Sequence, residues 1–248
     1  MSGVRLHNVW FAYEPSRPVL AGLDLYARGG EILGFLGANG AGKTTTFRLL
    51  SGLLRPDSGE VEVAGVSVPA DPREARLRSA YVPDEPLLYP TLSALENLNM
   101  FALLWGVPRS AMRERSETLL RQVDLWAVRH QWVRTYSRGM RQKLALCAAL
   151  LHEPRVLLMD EPFNGLDIGA VLWARNLLHQ FADAGGCVVF TSHTPELVES
   201  IADQVAILHQ GRVAYSNSRV GTLADGGVLS VYQQVCEGAI QEVDEVVA

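Results

Sequence analysis

A glycine-rich loop with one lysine and one threonine is the strongest chemical signal in this sequence. Residues 37–44 read GANGAGKT, which fits the pattern G-x-x-x-x-G-K-[ST]. Glycines let successive backbone N–H groups converge on an anion, and a helix that begins after them adds its positive end. A chance glycine-rich turn is the alternative, but it would not explain the lysine and the threonine. The predicted nucleotide-binding residues are Gly37, Asn39, Gly40, Ala41, Gly42, Lys43, Thr44 and Thr45.

Two neighbouring acids follow a short apolar run. Residues 156–159 read VLLM, and Asp160 and Glu161 come directly after them. A strand placed beside the one that enters the glycine-rich loop would deliver both carboxylates to a bound nucleotide. We expect Asp160 and the Thr44 hydroxyl to hold Mg²⁺, and Glu161 to orient or deprotonate a water. The alternative is a strand that simply ends in surface acids.

The elements that position these residues follow from the hydrophobic patterns. Residues 31–36 form a compact apolar run before the loop, and residues 44–50 lack proline and glycine after it, so we expect a strand, the loop and a helix. Further strands are predicted at 4–10, 20–27, 59–68 and 187–191, with a turn over 14–18. The pattern is therefore β/α at both ends of the chain.

A helical block lies between these ends, from Ser93 to about residue 151. Ser93 and Glu96 have the spacing of a capping box, and Ser110 is a plausible second helix cap. Residues 194–196, Thr-Pro-Glu, have the cap, proline and acid of a further helix start. Residues 226–227, both glycine, predict a break between later elements.

Composition excludes several classes of protein. Of the 248 residues, 48% are hydrophobic and 20% are charged, which is typical of a folded domain. The 22 basic and 27 acidic residues give a net charge of −5, which argues against a nucleic-acid partner. No apolar run reaches the roughly 18 residues that a membrane span needs, and no secretory signal is expected. The cysteines, at positions 147, 187 and 236, lack metal-ligand spacing and are expected to be reduced thiols.

With three further motifs, these features resemble the ATP-binding subunit of an ABC transporter. Residues 136–142 read YSRGMRQ, where the family has a signature usually written LSGGQ, and residues 164–167 read NGLD. His193 follows the run CVVFTS, where the family has its switch histidine, and Tyr13 lies upstream of the loop. The match extends from about residue 4 to about residue 220. The variant signature and the run MDEPFNGLD are similar to those of single-domain ATPases of bacterial exporters, whose membrane subunit is a separate chain.

The resemblance implies a role for each of these residues. Lys43, Glu161 and His193 are the implied catalytic residues, and His193 is expected to contact phosphate or the attacking water. Tyr13 is expected to stack on the adenine, with Phe11 as the alternative.

Ser137 and Gly139 are expected to act on a second chain. Ser137 can cap the helix that begins at residue 138, and the start of a helix is an anion site. The resemblance implies that this site binds the γ-phosphate held by the other subunit, so that two chains enclose two ATP molecules.

Two motifs depart from the family pattern. Asp84, at the end of the run YVPD, stands where the family has a glutamine near Mg²⁺ and water. It can accept a hydrogen bond from water or lie beside Mg²⁺, but it adds negative charge near the phosphates, and we interpret it as tuning of the site. Arg138 replaces the first glycine of the signature, and Met140 replaces its glutamine. For Arg138 two possibilities stay open, a charge near the phosphate on the second chain or a side chain in solvent.

Two stretches have no assigned chemistry. Residues 87–107 are rich in apolar and aromatic side chains, among them Tyr89, Phe101 and Trp105. They could form a docking groove for the membrane partner, or the core of the helical block, which would account for most of them. Residues 237–248 carry four acids and no base, and could be a strand-bearing cap or a frayed tail.

The sequence therefore predicts an α/β fold, a P-loop NTPase of ABC type. We expect a mainly parallel sheet core, an N-terminal antiparallel β layer and an inserted α-helical subdomain. The chain is expected to be one domain over residues 1–248. Its parts would be a nucleotide-binding core at 1–84 and 154–220, a helical subdomain at 85–153 and a C-terminal extension at 221–248.

The implied function is that of a subunit that binds and hydrolyses ATP. It would form a homodimer or a heterodimer around two Mg-ATP and drive export through an integral membrane permease. It would thus lie at the cytoplasmic face of the membrane, held there by the permease. One alternative is a soluble ABC protein of DNA repair or cluster assembly, but the helical block is too short for the coiled coil of the repair proteins. The other is an ATP-gated module without hydrolysis, against which Glu161 and His193 argue.

Overall fold

Two sheets contain the strands of residues 3–238, the part of the chain that the computed structural model describes. The strands are β1 (Val4–Glu14), β2 (Arg17–Ala27), β3 (Ile32–Gly37), β4 (Ser58–Val63), β5 (Val66–Ser67), β6 (Ser79–Val82), β7 (Val156–Met159), β8 (Cys187–Ser192), β9 (Gln204–His209) and β10 (Arg212–Ser218). An antiparallel sheet has the order β2-β1-β4-β5, and a six-stranded sheet has the order β10-β9-β3-β8-β7-β6. In the second sheet, only the β9–β10 pair is antiparallel.

Helices cover both faces of the larger sheet and form a separate block. They are α1 (Lys43–Leu50), α2 (Pro72–Arg78), α3 (Ala94–Leu104), α4 (Arg109–Gln122), α5 (Arg138–Leu150), α6 (Ile168–Asp183), α7 (Pro195–Ile201), α8 (Arg219–Ala224) and α9 (Val228–Cys236). The mainly parallel sheet, the antiparallel N-terminal layer and the inserted helices of the predicted fold are confirmed.

The larger sheet is buried on both faces. Every residue of β3, β7 and β8 is buried, as expected of parallel strands covered from both sides. On one face Leu36 and Phe190 pack with α6, α7 and α9, and on the other Phe35 and Val189 pack with α1 and the antiparallel sheet. The carboxyl ends of β3, β8, β7 and β6 thus meet, in that order, at one edge of the sheet.

A third hydrophobic cluster holds the helical block together. Leu98 of α3, Leu120 of α4 and Leu144 of α5 are fully buried in it. Cys147 lies in the same cluster, and burial raises the pKa of its thiol to about 12, so that it stays protonated.

Two predicted helix starts are confirmed by their hydrogen bonds. The Ser93 backbone N–H donates to Glu96 Oε2 (2.8 Å), and the Glu96 N–H donates to Ser93 Oγ (3.3 Å), which completes the capping box. Ser137 caps α5 by accepting a hydrogen bond from the Met140 N–H (3.2 Å). The glycines at 226–227 separate α8 from α9, as predicted.

One predicted cap was wrong, and another was confirmed in its position. α4 begins at Arg109 with Pro108 at its N-cap, because proline fixes the backbone there, so Ser110 lies inside the first turn. Thr194 is the N-cap of α7, with Pro195 and Glu196 in the first turn as predicted, although the threonine side chain makes no capping hydrogen bond.

Three predicted boundaries also shift. The segment 59–68 is two strands, because Ala64 and Gly65 both have positive φ and turn the chain between β4 and β5. β1 and β2 extend to Glu14 and Arg17, so the turn between them is shorter than predicted. The tail predicted at 237–248 lies outside the described residues beyond residue 238.

Candidate functional site

A cavity of about 540 Å³ lies at the edge where the carboxyl ends of the parallel strands meet. Most of the predicted site residues line it, namely Tyr13, Asn39, Gly40, Gly42, Lys43, Thr44, Thr45, Asp84, Asp160, Glu161 and His193. The topology brings them together, since the glycine-rich loop follows β3, the two acids follow β7 and His193 follows β8. Gly37 ends β3, and Ala41 lines an adjoining cavity instead.

Gly42 shows why the loop before α1 needs glycine. Its φ is +114°, and a Cβ there would lie 2.8 Å from Leu20 Cδ2. Gly40 also has positive φ, but a Cβ there would meet nothing within 4 Å. The backbone can therefore curl against β2 on one side and leave open space on the other, which is the shape that a phosphate cradle requires.

Lys43 is buried at the base of the cavity, with 7% of its side chain exposed. Its Nζ donates to the carbonyl oxygens of Gly37 (2.6 Å) and Ala38 (3.3 Å) and lies 3.6 Å from Glu161 Oε1. The ammonium group is thus held at the loop by neutral carbonyl oxygens and faces a single carboxylate.

Asp160 is buried between two hydroxyl groups. Thr44 Oγ1 donates to its Oδ2 (2.7 Å), and Thr191 Oγ1 donates to its Oδ1 (2.6 Å). Burial, followed by the negative charge of Asp160, raises the pKa of the neighbouring Tyr81 hydroxyl to about 12, so this phenol stays neutral.

The oxygen atoms of Thr44 and Asp160 fit a magnesium site. Mg²⁺ prefers oxygen ligands, and proteins hold it through one or two carboxylates, waters and substrate phosphates. Among residues 3–238, no group of three or more His, Cys, Asp or Glu side chains is placed to hold a metal ion.

Glu161 is held between a cation and an imidazole. Its Oε2 lies 2.9 Å from His193 Nδ1, and its Oε1 faces Lys43. The backbone of Glu161 is left-handed, with φ +46°, a conformation uncommon for residues other than glycine. The turn after β7 therefore aims this carboxylate into the cavity, where it can accept a proton.

Sequence reasoning missed Thr191, which connects the two acids. This fully buried side chain donates to Asp160 and accepts a hydrogen bond from the Glu161 N–H (2.8 Å). The only signal was a polar residue at the end of a buried strand, two positions before His193. Val19, Ala38 and Asn164 also line the cavity and were not predicted. Ala38 and Asn164 belong to motifs already noted, whereas nothing in the sequence distinguishes Val19.

Tyr13 stands at the rim of the cavity with 55% of its surface exposed. Its hydroxyl lies 3.3 Å from Thr45 Oγ1 and accepts a hydrogen bond from the Arg48 guanidinium (3.3 Å). Phe11, the alternative stacking residue, is buried and presents its ring edge-on to Tyr13. An exposed aromatic face at this rim is therefore available from Tyr13 and not from Phe11.

The signature residues lie outside the cavity of their own chain. Ser137 is exposed and Gly139 is half-buried at the start of α5, and neither lines the cavity. The Arg138 side chain is about half exposed, and both possibilities for it stay open. Its guanidinium lies 3.5 Å from Asp84 Oδ1, so it contacts a cavity residue of the same chain.

An apolar groove of about 300 Å³ lies between the helical block and the edge strand β6 of the larger sheet. Its lining includes Tyr81, Leu87, Leu104, Trp105 and Ala148. Leu87 and Leu104 are 76% and 71% exposed. The predicted core of this stretch is present as well, because four of its apolar residues are buried, namely Ala94, Leu98, Ala102 and Val107. In the part of the chain that the structure describes, no helix has the length and apolar character of a membrane span.

Comparison with known proteins gives one consistent result. The model of the ABC transporter family matches residues 20–164. The linearmycin resistance ATP-binding protein LnrL of Bacillus subtilis (strain 168) is 33% identical over 222 residues, which are 90% of this chain and 70% of LnrL. The daunorubicin resistance ATP-binding protein DrrA3 of Streptomyces coeruleorubidus is 38% identical over 79% of this chain and 62% of its own length.

Solved structures agree with this comparison. The structure described as the ATP-binding subunit of an ABC transporter has a TM-score of 0.85 and 27% sequence identity. The match covers 95% of this chain and all of that one. The comparisons therefore extend over the antiparallel layer, the parallel sheet and the helical block together.

Proposed function

The chain belongs to the ABC transporter family as an ATP-binding subunit, a class of ATPases, and from that premise we propose how it works. It binds Mg-ATP in the cavity at the glycine-rich loop, dimerises around two nucleotides and drives export through a separate membrane subunit. The contacts of the two neighbouring acids are the observation that best supports this proposal. Asp160 lies between Thr44 and Thr191, while Glu161 faces both Lys43 and His193.

Binding depends on the residues around the loop. Lys43 and the loop backbone contact the phosphates, and Tyr13 stacks on the adenine. Thr44 and Asp160 hold the magnesium ion, with Asp84 as a further candidate ligand at the cavity wall. A bound magnesium ion would neutralise phosphate charge during the transfer.

Hydrolysis depends on Glu161. Its carboxylate is positioned to orient or deprotonate the attacking water, while Lys43 stabilises the charge of the phosphoryl group. His193 fixes the carboxylate by its 2.9 Å contact and can donate to phosphate. A chain that only bound ATP would have no need of this pairing.

Dimerisation completes the site. Ser137 and Gly139 bind the γ-phosphate held by the second chain, which accounts for their position outside their own cavity. Each chain therefore lacks, as a monomer, the donors that stabilise the transferring group.

The membrane subunit docks in the apolar groove. Leu87 and Leu104 leave large apolar surfaces in solvent, which is typical of an interface. LnrL and DrrA3 are resistance proteins by name, which favours export as the direction of transport. The chain would thus lie at the cytoplasmic face of the membrane through this partner.

Substitution of Glu161 tests the proposal. We expect Glu161→Gln to keep ATP binding and to lower turnover by about a hundredfold or more, because it removes the base without removing a phosphate contact. Lys43→Ala should weaken ATP binding itself. Binding of ATP and release of phosphate are measured separately on the purified chain. Glu117→Gln, which alters an exposed acid of α4, is the control. Wild-type turnover by Glu161→Gln would contradict the proposed role.

A further inference from the structure

Two of the residues that depart from the family pattern contact each other. Arg138 Nη2 lies 3.5 Å from Asp84 Oδ1, although the residues are 54 positions apart in the chain. Both side chains are about half exposed. Asp84 follows β6 and lines the cavity, whereas Arg138 is the first residue of α5. Their ion pair thus joins the cavity wall to the start of the signature helix.

Arg138 also packs on a second loop that borders the cavity. A Cβ at Gly165, where φ is +66°, would lie 3.2 Å from the Arg138 guanidinium, so the guanidinium lies close against this loop. Gly165 follows Asn164, which lines the cavity. The guanidinium is therefore positioned by two loops, and not only by Asp84.

The charge of Arg138 is unfavourable at the start of a helix. The first turn of a helix carries partial positive charge and favours acids, yet α5 begins with an arginine and has no acid in its first turn. Asp84 supplies a carboxylate from another element, and this carboxylate pairs with the Arg138 guanidinium.

Carboxylates outnumber ammonium groups among the residues that line the cavity. Asp84, Asp160 and Glu161 line it, and Lys43 is its only lysine among the lining residues. Three carboxylates and one ammonium group are a poor match for a polyanionic phosphate chain. A second cation that neutralises Asp84 reduces this mismatch.

We infer that Arg138 is a positioning residue that neutralises Asp84 within its own chain, so that an acid can occupy this wall of the phosphate site. Arg138 then acts on nucleotide affinity through Asp84 and not by reaching the phosphate on the second chain. This inference rests on the proposed function, since it requires that the cavity binds ATP.

A double-mutant cycle tests the inference. We expect Arg138→Gln to raise the Kd for ATP about two- to fivefold, the range for an exposed ion pair, because Asp84 is left uncompensated. In the Asp84→Asn background the same change at 138 should have no further effect on the Kd. The difference in Kd between the wild-type chain and Arg138→Gln should shrink at high salt, because salt screens exposed charges. ATP is the probe, with and without Mg²⁺, in equilibrium binding measurements.

Arg121→Gln is the matched control. Arg121 forms an ion pair with Glu117 in the same helical block, is 57% exposed and does not line the cavity. It should leave the Kd unchanged, whereas a change equal to that of Arg138→Gln would overturn the inference.

Three other results would also overturn it. Arg138→Gln could leave the Kd unchanged, or raise it equally in the wild-type and the Asp84→Asn backgrounds. It could also lower kcat in both backgrounds with binding unchanged, which would place the cation at the phosphate of the partner subunit. A wild-type chain that binds no ATP would remove the proposed function itself, a failure distinct from these three.

Discussion

At the scale of single residues, the position of the two acids depends on one hydroxyl group. Thr191 Oγ1 donates to Asp160 and accepts from the Glu161 N–H, at 2.6 and 2.8 Å. Both partners lie in a turn whose left-handed residue, Glu161, is conformationally costly. The buried threonine therefore holds both acids in place, the proposed metal ligand Asp160 and the proposed base Glu161.

Thr191→Val should lower kcat by about ten- to a hundredfold and change ATP binding little. Valine has a similar shape, but it leaves the Asp160 oxygen and the Glu161 N–H without their partner, and a hydrogen bond to a charged group contributes about 1.5–3 kcal/mol. Steady-state turnover and ATP binding are the measurements. Thr191→Ser keeps the hydroxyl and should retain most activity, whereas equal losses in both variants would show that packing is responsible.

At the scale of elements, the end of α5 is joined to the start of β6 by His152. Its ring stacks on Trp105 (4.0 Å between centroids), and its Nε2 donates to the Ser79 carbonyl (3.0 Å). Nδ1 is buried with no hydrogen-bond partner among residues 3–238. Protonation would place a donor on Nδ1 there, so the neutral imidazole is the form that fits this junction.

From these contacts of His152 we predict that the folded protein loses stability as the pH falls. Burial lowers the pKa of His152 below its usual 6.5. As the pH falls through 6.5, unfolded chains take up a proton that folded chains do not bind, so the free energy of unfolding decreases. Between pH 7.5 and 5.5, the melting temperature should fall further for the wild-type chain than for His152→Phe. Phenylalanine can stack on Trp105 but does not titrate. His130→Phe, at an exposed position, should keep the wild-type drop. An equal drop in His152→Phe would show that this imidazole is not the cause.

Across the whole chain, the residues proposed to act on phosphate lie in two separate places. Lys43, Thr44 and Asp160 line one cavity, whereas Ser137 and Gly139 are placed outside it at the start of α5. A shared site between two chains therefore requires that each subunit contribute both halves.

Mixed subunits should reveal this sharing. A Ser137→Arg chain mixed with a Lys43→Ala chain forms heterodimers with one intact site and one doubly damaged site. We expect the mixture to recover ATPase activity that neither variant has alone, and wild-type activity per chain to rise with protein concentration. The measurements are phosphate release across a dilution series and across mixing ratios. Activity per chain that is constant down to the monomer, with no recovery in the mixture, would refute the shared site.

Short-range patterns in the sequence predict the candidate site residues and most of the strands and helices. GANGAGKT, the acids after β7 and the capping box at Ser93 all depend on neighbouring residues, and such short-range patterns are readable without a structure. The predicted boundaries of helices and strands were wrong where the backbone conformation sets them, as at Pro108 before α4 and at the turn after β4.

Contacts between residues that are far apart in the chain can be seen only in the folded protein. Thr191 reaches Asp160 because β7 and β8 are parallel neighbours, and Arg138 reaches Asp84 because α5 starts beside the loop after β6. Neither contact leaves a periodic pattern in the sequence. Long-range contacts depend on strand order and helix packing, which form when the whole chain buries its apolar faces, so they cannot be predicted from the spacing of residues.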